Sequence, residues 1–214
     1  ASDQKLGLTT GGNGMWKFYP AADRDPVLPR VLLIGDSICN GYRAAVIRDL
    51  KGKAAVDVWL TPVAENDPGL PGDLEKVIKQ GPYAVVHFNI GLHGWPKGQI
   101  PDGQYEPLMR KYVESLRKHA PDTKFIWASS TPITVKGKPA ELDPENNPTM
   151  TGRNAAAAKI MRESGIAVND LYSLVVDKRA QLAAGDRFHW QPGGSELMAK
   201  QIVEFITKAL PAKP

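Results

Sequence analysis

Three short polar stretches of this 214-residue chain hold side chains able to do chemistry. The first, GDSICNG, places Ser37 directly after the apolar run Val31-Leu32-Leu33-Ile34. A serine there can be an ordinary helix N-cap, or a nucleophile whose own N–H meets a developing oxyanion at the helix start. The second is VVHFNIGLHGW, from Val85 to Trp95. Strand alternation sets Asn89, Gly91 and His93 on one side of it, provided that the extended geometry runs that far. An amide ending a buried strand needs a partner, so Asn89 either ties a loop to the backbone or donates into the crevice. His93 divides in the same way, between a loop histidine bonded to a carbonyl and a donor. The third is DRFHWQPGGSELMAKQI, with Asp186 three residues before His189 in a tight turn. An aspartate so placed can accept the imidazole Nδ1–H, fix the tautomer and leave Nε2 as a base. Each stretch taken alone also has a purely structural reading. Their order along the chain is what converges on one chemistry: a serine nucleophile, an oxyanion donor and an aspartate-oriented base.

These groups meet only if the intervening elements bring them to one edge. Apolar runs alternate with helical patterns from Val31 onward. The expected strands are Val31–Ile34, Val56–Leu60, Ala84–Ile90, Lys124–Ser130 and Ile166–Asn169, four-residue apolar runs being the mark of a parallel sheet covered on both faces. Helices are expected over Ile38–Leu50, Asp73–Lys79, Pro107–His119, Thr151–Ser164 and Gly194–Leu210. Leu108, Tyr112, Val113 and Leu116 form the buried stripe of the third, and Leu197, Ile202, Phe205 and Ile206 that of the last. Such alternation implies an α/β fold: about five parallel strands between two helical layers, with a functional crevice outside the carboxyl ends of the strands. Residues 1–30, rich in Gly and Pro, read as an irregular lead-in, with Thr9–Gly14 a turn and Trp16, Phe18 and Tyr19 able to pin it to the body. Residues 31–214 read as one domain. The Pro/Asn-rich stretch Lys136–Met150 reads as a long connection rimming the crevice.

Composition narrows the classes. With 27 basic and 23 acidic residues the net charge is +4, and the basic residues are scattered, which argues against nucleic acid as a partner. No apolar run approaches the roughly 20 residues of a membrane-spanning helix, so no membrane partner is expected. A single cysteine, Cys39, excludes an internal disulfide and a cysteine-based metal cage; its expected role is packing beneath the serine turn. H-E-x-x-H and H-x-x-x-H are both absent, so no metal is implied. The chain opens Ala1-Ser2-Asp3 without a methionine or apolar leader. Two readings stay open there, a mature secreted or periplasmic form and a trimmed chain. No pattern sets an oligomeric state.

From about Arg30 to Leu210 the chain resembles the SGNH/GDSL hydrolases. GDSI around Ser37 resembles their nucleophile block, and DRFHWQPGGSELMA their Asp-x-x-His block; GIAVNDLYSL resembles the fifth strand and its exit in carbohydrate-acting members. The resemblance implies a three-layer flavodoxin-like fold, Ser37 as nucleophile, His189 as base and Asp186 as its orienting partner. Two blocks depart from the pattern. The usual Gly-x-Asn-Asp is Gly91-Leu92-His93-Gly94 here, an N-x-G-L-H version in which either Asn89 or His93 supplies the side-chain oxyanion donor. The second-block glycine falls in ENDPGLPGD, where Gly69 is favoured over Gly72.

The resemblance implies ester hydrolysis through an acyl-enzyme, with no metal or organic cofactor. The oxyanion would rest on the Ser37 N–H, a glycine N–H and Asn89 or His93, each donor being worth roughly 3–4 kcal/mol of barrier. No long apolar loop is present to form a lipase lid, while Trp95 and Trp190 suit a sugar ring. The expected substrate is therefore an O-acetylated carbohydrate, small or polymeric. Its rivals are short-chain lipid esters or thioesters and, from another class, a glycan-binding protein that keeps the fold without the chemistry.

Overall fold

The computed structural model describes residues 6–11, 14–22 and 25–212. Part of the Thr9–Gly14 turn expected from the sequence, residues 12 and 13, lies outside them. The first strand, β1 (Phe18–Tyr19), is followed by β2 (Arg30–Gly35), α1 (Ser37–Asp49), β3 (Ala55–Leu60), α2 (Leu70–Ile78) and β4 (Val85–Phe88). A 3₁₀ turn over Leu92–Gly94 leads to α3 (Tyr105–His119), β5 (Lys124–Ala128), and the hairpin β6 (Thr134–Val135) and β7 (Lys138–Leu142). Then come α4 (Asn147–Glu163), β8 (Ala167–Asn169), α5 (Leu171–Val176), α6 (Arg179–Leu182) and α7 (Pro192–Ala209).

The main sheet has the order β1-β3-β2-β4-β5-β8. All its pairs are parallel except β1, which lies antiparallel against β3 with Phe18 opposite Trp59. The expected five parallel strands are thus present, and the sheet has a sixth, antiparallel member drawn from the lead-in. Side-chain alternation builds the three layers. Val31 and Leu33 of β2 face α1 and α7, with Val46, Met198 and Ile202 among their neighbours. Leu32 and Ile34 face α2, α3 and α4, meeting Leu74, Leu116 and Ile160. Burial on both faces is why β2 reads as an unbroken apolar run.

The helix stripes differ by a residue from those expected. Met109 joins Tyr112, Val113 and Leu116 in the core from α3, and Leu108 is half-buried. In α7 Met198 and Ala199 are buried with Ile202 and Ile206, while Leu197 and Phe205 are half-buried. β4 stops at Phe88, short of the expected Ile90, because Gly91 turns the chain with φ 147°. The expected connection at Lys136–Met150 is replaced by β7 and the first turn of α4, with Gly137 (φ 78°) at the hairpin tip.

This strand order places the reversal between β2 and β4. Neighbouring strands there feed loops to opposite sides, and the crevice opens at their carboxyl ends. Ser37 follows β2 and Asn89 follows β4.

Candidate active site

Ser37 is the first residue of α1, and Asp36 is its N-cap, with Asp36 Oδ1 accepting the Ile38 N–H at 2.8 Å. The capping role considered for the serine therefore belongs to its neighbour. Gly35 is needed for close approach rather than for an unusual backbone angle: a Cβ there would lie 2.5 Å from Cys39 Cβ. Cys39 is fully buried behind this turn, where burial pushes its thiol up to about 12. It packs as expected and remains an un-ionised thiol.

The Ser37 hydroxyl donates to His189 Nε2 at 2.8 Å, and His189 Nδ1–H donates to Asp186 Oδ2 at 2.6 Å. The other carboxylate oxygen of Asp186 accepts the N–H groups of Phe188 (3.1 Å) and His189 (2.9 Å). Asp186 thus holds both the backbone and the ring of the histidine. Partial burial pushes its carboxyl up, but the two N–H groups and the imidazole outweigh this and hold it below the ordinary value. The pair is open to solvent, the side chains of His189 and Asp186 being 43% and 49% exposed. Pro192 at the start of α7 ends the turn and begins the helix that backs it.

The candidate oxyanion donors fall out unequally. The N–H of Ser37 belongs to the first turn of α1, where helical N–H groups lack intrahelical partners and the helix dipole is positive. Asn89 is buried and donates Nδ2–H to the Ala128 carbonyl at 2.8 Å, tying the end of β4 to that of β5. One of its two N–H groups is thereby committed. His93 lies in the 3₁₀ turn, half-buried, with its ring edge-on to Trp16 at 5.4 Å. The expected alignment of Asn89, Gly91 and His93 along one extended face ends at Gly91. A Cβ on Gly91 would also come within 2.9 Å of Ser130 Oγ. The N–H of Gly69, the expected second-block donor, donates to Asp67 Oδ1 at 2.8 Å, and a Cβ there would face Thr9 and Thr10. Gly72 lies within α2.

Trp95 and Trp190 have different surroundings. Trp95 packs against Phe188, with ring centroids 5.1 Å apart, and the Arg187 guanidinium lies 5.7 Å from its ring, so it borders the turn that holds Asp186 and His189. Trp190 is wedged at the start of α7, where a Cβ on Gly194 would approach its Cβ to 3.0 Å; its indole N–H is buried without a hydrogen-bond partner among the described residues. Its surroundings are those of scaffold. Sequence reasoning missed Asp36 as the cap, Arg187 and Asp143 beside the turn, and Glu65 beneath the Gly91–Gly94 turn. Asp36 adjoins the serine and Arg187 the aspartate, so proximity was the available signal.

No protein-family model and no curated protein sequence matches the chain. Solved structures do. Axe2, an acetylxylan esterase from Geobacillus stearothermophilus, is 19% identical with a TM-score of 0.66, covering 83% of this chain and 94% of that one. The acetyl xylan esterase AlAXEase is 16% identical with a TM-score of 0.66, covering 83% and 99%. At these identities the likeness establishes architecture alone, a three-layer α/β fold shared with these structures.

Proposed function

We propose that this protein is a serine esterase that removes short acyl groups, O-acetyl foremost, from carbohydrate. The observation that carries the reading is the unbroken relay Ser37–His189–Asp186, 2.8 and 2.6 Å in its two links, at the open amino end of α1. His189 Nε2 takes the hydroxyl proton as Ser37 Oγ attacks the ester carbonyl. The charge that develops on the carbonyl oxygen is met by the Ser37 N–H, the field of the α1 amino end, and the remaining N–H of Asn89 or the His93 ring. His189 returns the proton to the leaving alcohol. Water, activated by the same imidazole, then cleaves the acyl-enzyme.

The open rim supports a carbohydrate over a long acyl chain. Trp95 and Phe188 offer an aromatic edge at the Asp186–His189 turn, which suits the apolar face of a sugar ring, and the fold neighbours named above are acetyl xylan esterases. The test is turnover of p-nitrophenyl acetate by wild type and Ser37→Ala, followed by acetyl release from acetylated xylan, pectin and sialic acid and from longer acyl esters. Loss in Ser37→Ala with retained fold and a preference for acetylated glycan is the expected result. Undiminished turnover in Ser37→Ala would overturn the nucleophile, and a preference for longer acyl chains would overturn the substrate class.

A further inference from the structure

Arg187 stands between Asp186 and Phe188, and it is the one non-glycine residue with positive φ (107°) among the described residues. A bulky side chain takes that conformation only where its surroundings impose it, and such sites cluster around function. Here the surroundings are the β6–β7 hairpin. The Arg187 carbonyl accepts the N–H of Thr134 at 3.0 Å and its hydroxyl at 3.3 Å. At the hairpin tip, Gly137 N–H donates to the Gly185 carbonyl at 2.7 Å. The Arg187 guanidinium in turn reaches Asp143 Oδ2 at 3.0 Å, just beyond the end of β7. Asp143 is itself fixed, its Oδ1 accepting the N–H groups of Glu145 (3.0 Å) and Asn146 (2.9 Å). The hairpin is thus fastened to the acid–base turn at both ends, by main chain at Thr134 and Gly137 and by charge at Asp143.

We propose that Arg187 is a positioning residue: its ion pair with Asp143 locks the 185–188 backbone in the conformation that lets Asp186 hold His189 by ring and main chain together. The guanidinium touches no reacting atom and acts through the turn. The inference rests on the reading of Ser37, His189 and Asp186 as the reacting groups. It also gives the hairpin a function.

Arg187→Gly separates latch from fold, because glycine accepts φ 107° freely while losing the guanidinium. Steady-state hydrolysis of p-nitrophenyl acetate should show kcat reduced by about 10- to 100-fold, the scale of a small misplacement of catalytic groups, with KM within about twofold of wild type. Arg187→Lys keeps the charge and should recover most of the loss. Asp143→Asn, which keeps the acceptor for residues 145 and 146, should reproduce the loss. The double variant Arg187→Gly/Asp143→Asn should be no worse than either single one, as for two partners of one interaction. Thermal unfolding of each variant controls for collapse of the domain. Wild-type kcat in Arg187→Gly, or a Lys variant no better than the Gly variant, overturns the latch. Ser37→Ala, measured alongside, distinguishes the two failures: an active Ser37→Ala protein defeats the esterase reading, whereas an inactive one beside a fully active Arg187→Gly defeats the latch alone.

Discussion

The Asp36 carboxylate caps α1 through the Ile38 N–H at 2.8 Å, one residue before a serine whose hydroxyl points instead to His189. Cap and candidate nucleophile are thus adjacent residues with separate partners. Burial pushes the Asp36 carboxyl up, against the opposing pull of His93, the Ile38 and Cys39 N–H groups and His189. Replacing Asp36 by Ala should lower stability by about 1–2 kcal/mol, the usual worth of an N-cap. It should also slow acylation, because the first turn of α1 then frays where Ser37 sits. Asp36→Asn retains a capping oxygen and should lose less on both counts. Urea denaturation at neutral pH and burst-phase kinetics read the two effects, and an Ala variant as stable as wild type would show that the cap carries no weight.

The parts of the site that were legible in the sequence are those whose chemistry is contiguous. Gly35-Asp36-Ser37 terminates a fully apolar strand, and Asp186, His189 and Pro192 fit within a single turn and helix start. The parts that were not legible depend on distant partners or on weak patterns. Arg187 takes its meaning from Asp143, 44 residues away. The β6–β7 hairpin buries no continuous face, so Lys138–Leu142 shows no alternation to read. Two-residue β1 owes its place to Trp59 and Val58 opposite it. The surroundings of Gly69 are local in sequence: Asp67-Pro68-Gly69 is a turn in which the aspartate accepts the N–H two residues on.

Asp73 should govern whether the start of the chain stays against the body. Its Oδ2 accepts the main-chain N–H of Thr9 (2.7 Å) and Thr10 (2.6 Å) and both threonine hydroxyls (3.1 and 2.8 Å). Burial pushes this carboxyl up, but the Thr10 and Thr9 bonds and Lys76 hold it below its ordinary value. The stability it contributes is therefore full above the unfolded carboxylate pKa and is lost as pH falls through the lowered folded value. Asp73→Ala should cost about 2–3 kcal/mol, as expected for charge-assisted bonds to a buried acceptor. It should raise hydrogen exchange at residues 6–11, and flatten the acid side of the stability profile. Because Trp16 packs on His93, a modest fall in kcat should accompany the release. Unchanged exchange at residues 6–11 would count against the tether.

Glu65 sets a pH dependence of the opposite sign. Its carboxylate is buried, and neither oxygen has a hydrogen-bond partner among the described residues. A Cβ on Gly91 would lie 3.2 Å from Oε1, and one on Gly94 would lie 3.4 Å from Oε2, so the group sits directly under the turn that carries His93. Burial pushes its pKa up from 4.5 to about 7; its own N–H and Arg153 pull the other way, and Asp36 adds to the rise. A carboxyl raised in the folded state binds its proton more tightly there than in the unfolded chain. Its contribution is full below about 4.5, declines as pH rises, and is gone above about 7. The full swing is of order 3 kcal/mol. Glu65→Gln keeps shape and neutrality at every pH and should therefore hold its melting temperature between pH 5 and pH 7 better than wild type does. A Glu65→Gln variant whose melting temperature falls in parallel with that of wild type across this interval would remove Glu65 as the source.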